Sequence, residues 1–250
     1  MKALITGASS GIGLDMARYL STKKIELFLV SRSKEKLEEI QKELPTKVTV
    51  IVADLSFEQK VKELYALVKK ENIDILINNA GFGKFGNFTD TNLNDEIEMI
   101  DLNIKAVHIL TKLILKDMED RNSGYILNVA SSAAFQPGPL MATYYATKSY
   151  VYNLSEAIYY EEKKKKKNVH ISVLCPGPVD TNFNNVAGVK FGVKPMTSKK
   201  VAKYAIDKMF KNKLLIIPGF TMKLTRFFVR FIPNKLLLRM TYNIQKKKVN

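Results

Sequence analysis

Tyr144 and Lys148 lie four residues apart in Tyr144-Tyr145-Ala146-Thr147-Lys148, a spacing that places two side chains one turn apart on the same helix face. Tyr145 has no lysine at that spacing, so Tyr144 is the candidate acid/base. A free phenol has a pKa of about 10, too high for efficient proton exchange at neutral pH. A neighbouring ammonium favours the phenolate and lowers that value, and Lys148 supplies one. Upstream, Ser131 carries a hydroxyl that can donate to a carbonyl oxygen as negative charge develops on it, with Ser132 as its rival.

A second group of residues points to a phosphate-bearing ligand. The run Gly7-Ala8-Ser9-Ser10-Gly11-Ile12-Gly13 follows an apolar segment and opens a helix-like one near Gly11. Glycines at such a turn let backbone N–H groups approach a pyrophosphate at the helix N-terminus, where the dipole favours negative charge. The spacing is not G-x-G-x-x-G, and a tight turn without a ligand would use the same residues. At the end of the next apolar run stand Ser31-Arg32-Ser33, where an enzyme using NAD would often place an acid. A guanidinium and two hydroxyls suit the 2′-phosphate of NADP instead, although an ordinary exposed arginine reads the same way. The positive ring of an oxidised nicotinamide would add to the pull of Lys148 on Tyr144.

These residues need a scaffold that gathers them. Apolar runs near 2–6, 25–30, 47–52, 73–78, 124–130, 169–175 and 214–217 alternate with helix-like stretches. The runs are mostly apolar rather than alternating, as expected where helices cover both faces of a sheet. The pattern predicts an α/β fold, a doubly wound, Rossmann-type parallel sheet of seven strands. Ala53-Asp54-Leu55 and Asn78-Asn79-Ala80-Gly81 then fall at strand C-termini, where such sheets bind ligands, although Asp54 could equally be a helix cap and the second run a turn. The stretches around 135–139 and 176–195 read as loops facing a substrate.

In this order the motifs resemble the short-chain dehydrogenase/reductase family: T-G-x-x-x-G-x-G at Thr6 to Gly13, N-N-A-G at Asn78 to Gly81, Asn103, Ser131, Y-x-x-x-K at Tyr144 and Lys148, and Pro176-Gly177 with Thr181. The resemblance covers roughly residues 3–182. It implies a catalytic tetrad in which Asn103 holds a proton-relay water, Ser131 polarises the carbonyl, Tyr144 is the acid/base and Lys148 binds the nicotinamide ribose. It also implies that Asp54, with Leu55 beside it, contacts adenine, that Asn79, Ala80 and Gly81 line the adenosine side, and that Pro176, Gly177 and Thr181 hold the nicotinamide end. The expected activity is hydride transfer between NADP(H) and a carbonyl or secondary alcohol, in a homodimer or homotetramer. A 3-oxoacyl reductase acting on an acidic carrier protein, or a non-catalytic nucleotide-binding or membrane-surface protein, are the alternatives.

The net charge of +16 is unevenly placed: residues 190–250 carry 16 Lys and Arg against one acid, Asp207, while residues 1–189 carry 24 basic and 23 acidic groups. The excess therefore belongs to the C-terminal end, and nucleic acid is not the expected partner. A boundary is predicted between a catalytic domain, 1–218, and a basic amphipathic extension, 219–250. Within 220–231, Lys223, Arg226 and Arg230 share one helical face, and Met222, Leu224, Phe228, Val229 and Phe231 cover much of the rest. The apolar part can pack on the domain or a second subunit with the cations solvated, or the helix can lie on a membrane surface or meet an acidic carrier protein. Phe183, Phe191, Phe227, Phe228 and Phe231 lean toward a hydrophobic substrate, steroid-like or long-chain.

The first apolar run starts too close to Met1 for a signal peptide, so a cytoplasmic protein is expected. A single cysteine, Cys175, and two histidines, His108 and His170, make a metal site improbable, and none of the three is given a role. Lys163 to Lys167 are expected to end the long helix that begins near Ala142.

Overall fold

The computed structural model describes residues 1–183, 187–188 and 195–247. Seven parallel strands form one sheet in the order β3-β2-β1-β4-β5-β6-β9. They are β1 (Lys2–Thr6), β2 (Glu26–Ser31), β3 (Val48–Val52), β4 (Ile75–Asn78), β5 (Gly124–Val129), β6 (Val169–Leu174) and β9 (Leu215–Ile216). Strand order reverses between β1 and β4, and the crevice that opens at such a point is where open α/β sheets bind ligands. The seven strands and the doubly wound class expected from the apolar runs are all present.

Successive strand residues point to opposite faces, and the two faces are buried separately. Ala3, Ile5, Leu27, Leu29, Ile75 and Ile77 belong to one core, with Met16 and Leu20 of α1 (Gly11–Thr22), Leu37 of α2 (Lys34–Glu43) and Val201, Ile206 and Met209 of α7 (Ser198–Met209). Leu4, Phe28, Val30 and Leu76 belong to the other, with Leu64 of α3 (Glu58–Val68) and Leu110 and Ile114 of α5 (Val107–Arg121). Each such side chain contributes about 2 kcal/mol of burial, so neither face can be left open.

Between the sheet and the helices on one face runs a polar chain. Asn78 of β4 lies beside Asn128 of β5 and donates to its Oδ1 at 2.8 Å and to Thr111 of α5 at 3.0 Å. Asn128 Nδ2 donates in turn to Ser155 at 3.0 Å. Ser155 lies on α6 (Ala142–Lys164), so the central strands are pinned to the helix that carries Tyr144 and Lys148.

Several features differ from the expectation. Part of the 176–195 loop is paired: β7 (Val179–Asp180) runs parallel to β8 (Met196–Thr197). Two-residue strands leave no periodicity to read. Asp54 caps no helix, because α3 starts only at Glu58; its Oδ1 instead accepts from Ser56 N and Ser56 Oγ at 3.0 and 2.7 Å. His108 lies on the surface, 2.7 Å from the Tyr150 hydroxyl, and Cys175 is fully buried. The long helix ends at Lys164, within the lysine run.

The chain ends in α8 (Phe220–Val229) and α9 (Asn234–Lys246), both docked on the body of the same chain. Arg226 turns inward rather than joining a solvated cationic face: its Nη2 donates to Tyr152 Oη at 3.0 Å and its guanidinium lies 5.5 Å from the Phe135 ring centre. In α9, Leu237, Thr241 and Gln245 form the buried seam, and Gln136 donates to Thr241 at 3.2 Å.

Candidate active site

The strand ends open into a cleft of about 640 Å3. At its nucleotide end, Gly7 and Gly11 hold φ of +66° and +55°, left-handed conformations that favour glycine. A Cβ on Gly13 would stand 2.4 Å from Gly7 O, so the third glycine lets helix and turn close on each other; it does not line the cleft. Ser10 precedes α1 in extended backbone and its side chain makes no capping bond, nor is there an acid in the first turn. The helix start therefore keeps its N–H groups for an external anion, and Gly7, Ser9, Ser10, Gly11 and Ile12 form the cleft wall there. This cradle fits a dinucleotide's pyrophosphate.

Asn79 holds that turn from below. The amides of Asn79 and Ala80 donate to Thr6 Oγ1 at 3.0 and 3.1 Å, and Asn79 Nδ2 donates to the carbonyls of Thr6 and Gly7 at 3.0 and 3.1 Å. Asn79, Ala80 and Gly81 line the cleft, and the Asn79 amide is spent on the turn.

Arg32, Asp54 and Leu55 line the same end. Arg32 is paired with two acids: its Nη1 lies 3.2 Å from Glu98 Oε1 and 3.6 Å from Asp54 Oδ2. Its side chain stays 62% exposed. Burial works to raise the pKa of Asp54, but hydrogen bonds from Ser56 and the Arg32 guanidinium outweigh it and hold the carboxyl below its ordinary value. Glu98 lies on α4 (Leu93–Ile100), 66 positions from Arg32, so no local signal announces it.

At the other end, Ser131 follows β5 while Tyr144 and Lys148 rise from the first turns of α6. All three line the cleft, and Tyr144 and Lys148 are buried. The Ser131 hydroxyl is near enough to that of Tyr144 to favour its ionised form, its oxygen also accepts from Ala133 N at 3.1 Å, and Lys148 Nζ lies 5.9 Å from the Tyr144 ring centre while donating to Val129 O at 3.0 Å. Burial pushes the Tyr144 phenol well above its ordinary value, and the Ser131 hydroxyl offsets only part of that. Burial also lowers the Lys148 ammonium to about 8. Burial thus leaves Tyr144 above its ordinary value in the protein alone, and Lys148, whose Nζ lies 5.9 Å from the ring centre and bonds Val129 O, is not among the groups that lower it.

Asn103 is fully buried behind this end, within a π-helical segment, Asp101–Ala106, between α4 and α5. Its Nδ2 donates to Phe82 O at 2.9 Å and Thr147 Oγ1 at 3.0 Å, and its Oδ1 accepts from Phe82 N at 3.1 Å. Both amide hydrogens are engaged by protein. Gly81 fits between Asn103 and Lys148: a Cβ there would stand 2.7 Å from Asn103 Oδ1 and 3.3 Å from Lys148 Nζ.

Pro176, Gly177 and Thr181 close the cleft from above. Pro176 O accepts from Ser132 N at 2.8 Å, and Ser132 lines the cleft beside Ser131. Thr181 Cγ2 would stand 3.1 Å from a Cβ on Gly11, so this turn meets the glycine-rich one. Phe82, Met141, Tyr145 and Phe183 add an apolar wall, with the Phe183 ring 5.3 Å from that of Tyr144. Phe191 lies outside the described residues. Thr147, Phe82, Gly83, Glu98 and Gln245 were not singled out from sequence. Only Thr147 had a signal, its place one turn after Tyr144. A Cβ on Gly83 would meet both Tyr144 and Phe183 at 3.0 Å, and Gln245 donates to the Tyr145 hydroxyl.

Residues 1–190 match the family model for short chain dehydrogenases. The chain belongs to the short-chain dehydrogenase/reductase family. An uncharacterised oxidoreductase of Staphylococcus epidermidis is 33% identical over 192 residues, 76% of this chain and 82% of that one. Hydroxysteroid dehydrogenase-like protein 1 of Gallus gallus is 35% identical over 193 residues, 72% of this chain but only 56% of its own length. Among solved structures, a short-chain dehydrogenase of Sphingobium yanoikuyae in complex with NADPH superposes with a TM-score of 0.82 at 27% identity, over 88% of both chains. A bulky-bulky ketone specific alcohol dehydrogenase of Comamonas testosteroni does so with 0.78 at 28%, over 88% of this chain and 86% of that one. This short-chain dehydrogenase/reductase is therefore an oxidoreductase of alcohols or carbonyls with a nicotinamide cofactor.

Proposed function

We propose that the enzyme is an NADP(H)-dependent oxidoreductase of a hydrophobic carbonyl or secondary alcohol, with Tyr144 as acid/base. The observation that carries this reading is the convergence of Ser131, Tyr144 and Lys148 at the apolar end of a cleft whose other end is a pyrophosphate cradle. When bound, the nicotinamide supplies or accepts the hydride. In the reductive direction the Tyr144 hydroxyl donates its proton to the substrate oxygen while the Ser131 hydroxyl donates a hydrogen bond to the same oxygen. A phenol held neutral by burial is ready for that step. Lys148, protonated below pH about 8, stabilises the phenolate that the step leaves and carries donors for the ribose hydroxyls. Asn103 acts by placement, holding Phe82 and Thr147 on either side of the centre.

NADP rather than NAD is supported by Arg32 at the end of β2, exposed on the cleft with donors left for a 2′-phosphate, and by the NADPH complex of the Sphingobium relative. A hydrophobic substrate is supported by Phe82, Met141, Tyr145 and Phe183, and by the bulky ketone and hydroxysteroid names of two relatives. The test is oxidation of NADPH, with NADH in parallel, against ketones, quinones, steroids and 3-oxoacyl thioesters. Turnover should be fastest with bulky ketones and NADPH. Tyr144→Phe should lower turnover roughly 10³-fold with NADPH affinity retained, and undiminished turnover in that variant would overturn the mechanism.

A further inference from the structure

Helix α8 is turned inside out. The side chains it sets against the body are Met222, Arg226 and Val229, and Met222 packs on Gly177 at the cleft. Phe220, Leu224 and Phe227, with Phe231 just past the helix end, recur at helical spacing on the opposite face. Phe220, Phe227 and Phe231 are 74, 57 and 69% exposed. The Phe227 ring centre lies 5.4 Å from that of Phe228 and 5.2 Å from that of Phe231, a cluster in the open. The neighbouring α9 adds Leu236, Met240 and Ile244, an exposed row at four-residue spacing beside its docked seam. In α7, by contrast, Val201, Ala202, Ala205, Ile206 and Met209 are all buried. An apolar surface of this extent costs free energy in water unless something covers it.

Charge decides what covers it. Residues 220–247 contain seven Lys and Arg and no acid. Arg226 is used internally, and Lys223, Arg230, Lys235, Arg239, Lys246 and Lys247 stand exposed on the same stretch of chain as the phenylalanines. A second copy placed face to face would bring like charges together with no acid to pair them. A surface that is apolar within and anionic at its rim matches both features, which is the chemistry of an anionic lipid bilayer. No helix among the described residues is long and apolar enough to cross a membrane. The geometry points to a peripheral membrane site in which Phe220, Leu224, Phe227 and Phe231 insert among acyl chains while the six exposed cations contact anionic headgroups. The two helices also brace the cleft, Met222 at Gly177 and Gln245 at Tyr145. Resting on the proposed carbonyl chemistry, the site would take a substrate dissolved in the bilayer.

The test uses the full chain and vesicles of phosphatidylglycerol and phosphatidylcholine in equal parts. The protein should sediment with these vesicles, less so as salt rises, and far less with phosphatidylcholine alone. The triple variant Phe220→Ser/Phe227→Ser/Phe231→Ser should partition on the order of a hundredfold more weakly, with NADPH binding and circular dichroism unchanged. Because the chain has no tryptophan, Phe227→Trp provides a second readout, a blue-shifted emission on vesicle addition. Equal sedimentation of wild type and triple variant, no emission shift, or a solution dimer that the triple variant splits would each overturn the proposal. With a ketone dissolved in the vesicles, the triple variant should lose turnover while a water-soluble ketone is reduced as before. Absence of turnover with every carbonyl would count against the proposed function and leave the vesicle measurements standing.

Discussion

Asn103 Nδ2 donates to Thr147 Oγ1 at 3.0 Å, and Thr147 Oγ1 donates to the carbonyl of Tyr144 at 2.8 Å. One buried hydroxyl thus joins the π-helical turn after α4 to the turn of α6 that carries the candidate acid/base. Thr147→Val removes it and leaves an Asn103 hydrogen without a partner in a dry site. Stability should fall by about 1–3 kcal/mol in urea unfolding. Turnover should fall roughly tenfold for about 1.4 kcal/mol of lost placement, with the KM for cofactor unchanged and Thr147→Ser restoring both.

Lys148 should weaken the fold that it serves. Its ordinary value of 10.5 is lowered to about 8 by burial. Between those values the native state binds fewer protons than the unfolded chain, so its cost is full below pH 8 and fades as pH rises toward 10.5. Lys148→Met should therefore stabilise the protein at pH 7, by up to roughly 3 kcal/mol, while abolishing turnover. Thermal unfolding from pH 7 to 10 checks this, and a stability gap that does not narrow with pH would contradict it.

Glu98 sits 3.2 Å from Arg32, the residue proposed to meet a 2′-phosphate. Removing its charge leaves the guanidinium paired with Asp54 alone and removes a repulsion. Glu98→Gln should lower the KM for NADPH about threefold to tenfold, near 1 kcal/mol, and leave that for NADH unchanged. Steady-state kinetics with both cofactors decide it, and an equal change for the two would remove Glu98 from the phosphate site.

Gly13→Ala should damage the nucleotide end without touching the ligand. The added methyl would meet Gly7 O at 2.4 Å and Asn79 Nδ2 at 2.5 Å, both held in place. A loss of about 1–3 kcal/mol in stability, with weaker NADPH binding by fluorescence titration, is the expected outcome.

Much of the site was legible because the chemistry is written in local spacings. Gly7 to Gly13 on one turn, and Tyr144 with Lys148 on one helix face, need no knowledge of the rest of the chain. The seven strands were equally readable, since a sheet buried on both faces demands continuous apolar runs. Glu98 beside Arg32, Gln245 beside Tyr145 and Asn79 beneath Gly7 were not, because each pair is 66 or more positions apart and meets only when the sheet is wound.

Residue types and local periods by themselves determined the strands, the cradle and the pairing of Tyr144 with Lys148. Tertiary structure alone decided how those groups behave. Desolvation raises Tyr144 and lowers Lys148 whatever their spacing implies, since proton affinity depends on the surrounding medium as well as on neighbours. Packing decided the tail in the same way: periodicity identified an amphipathic helix, but only the docked seam of Met222, Arg226 and Val229 shows that its phenylalanines face outward.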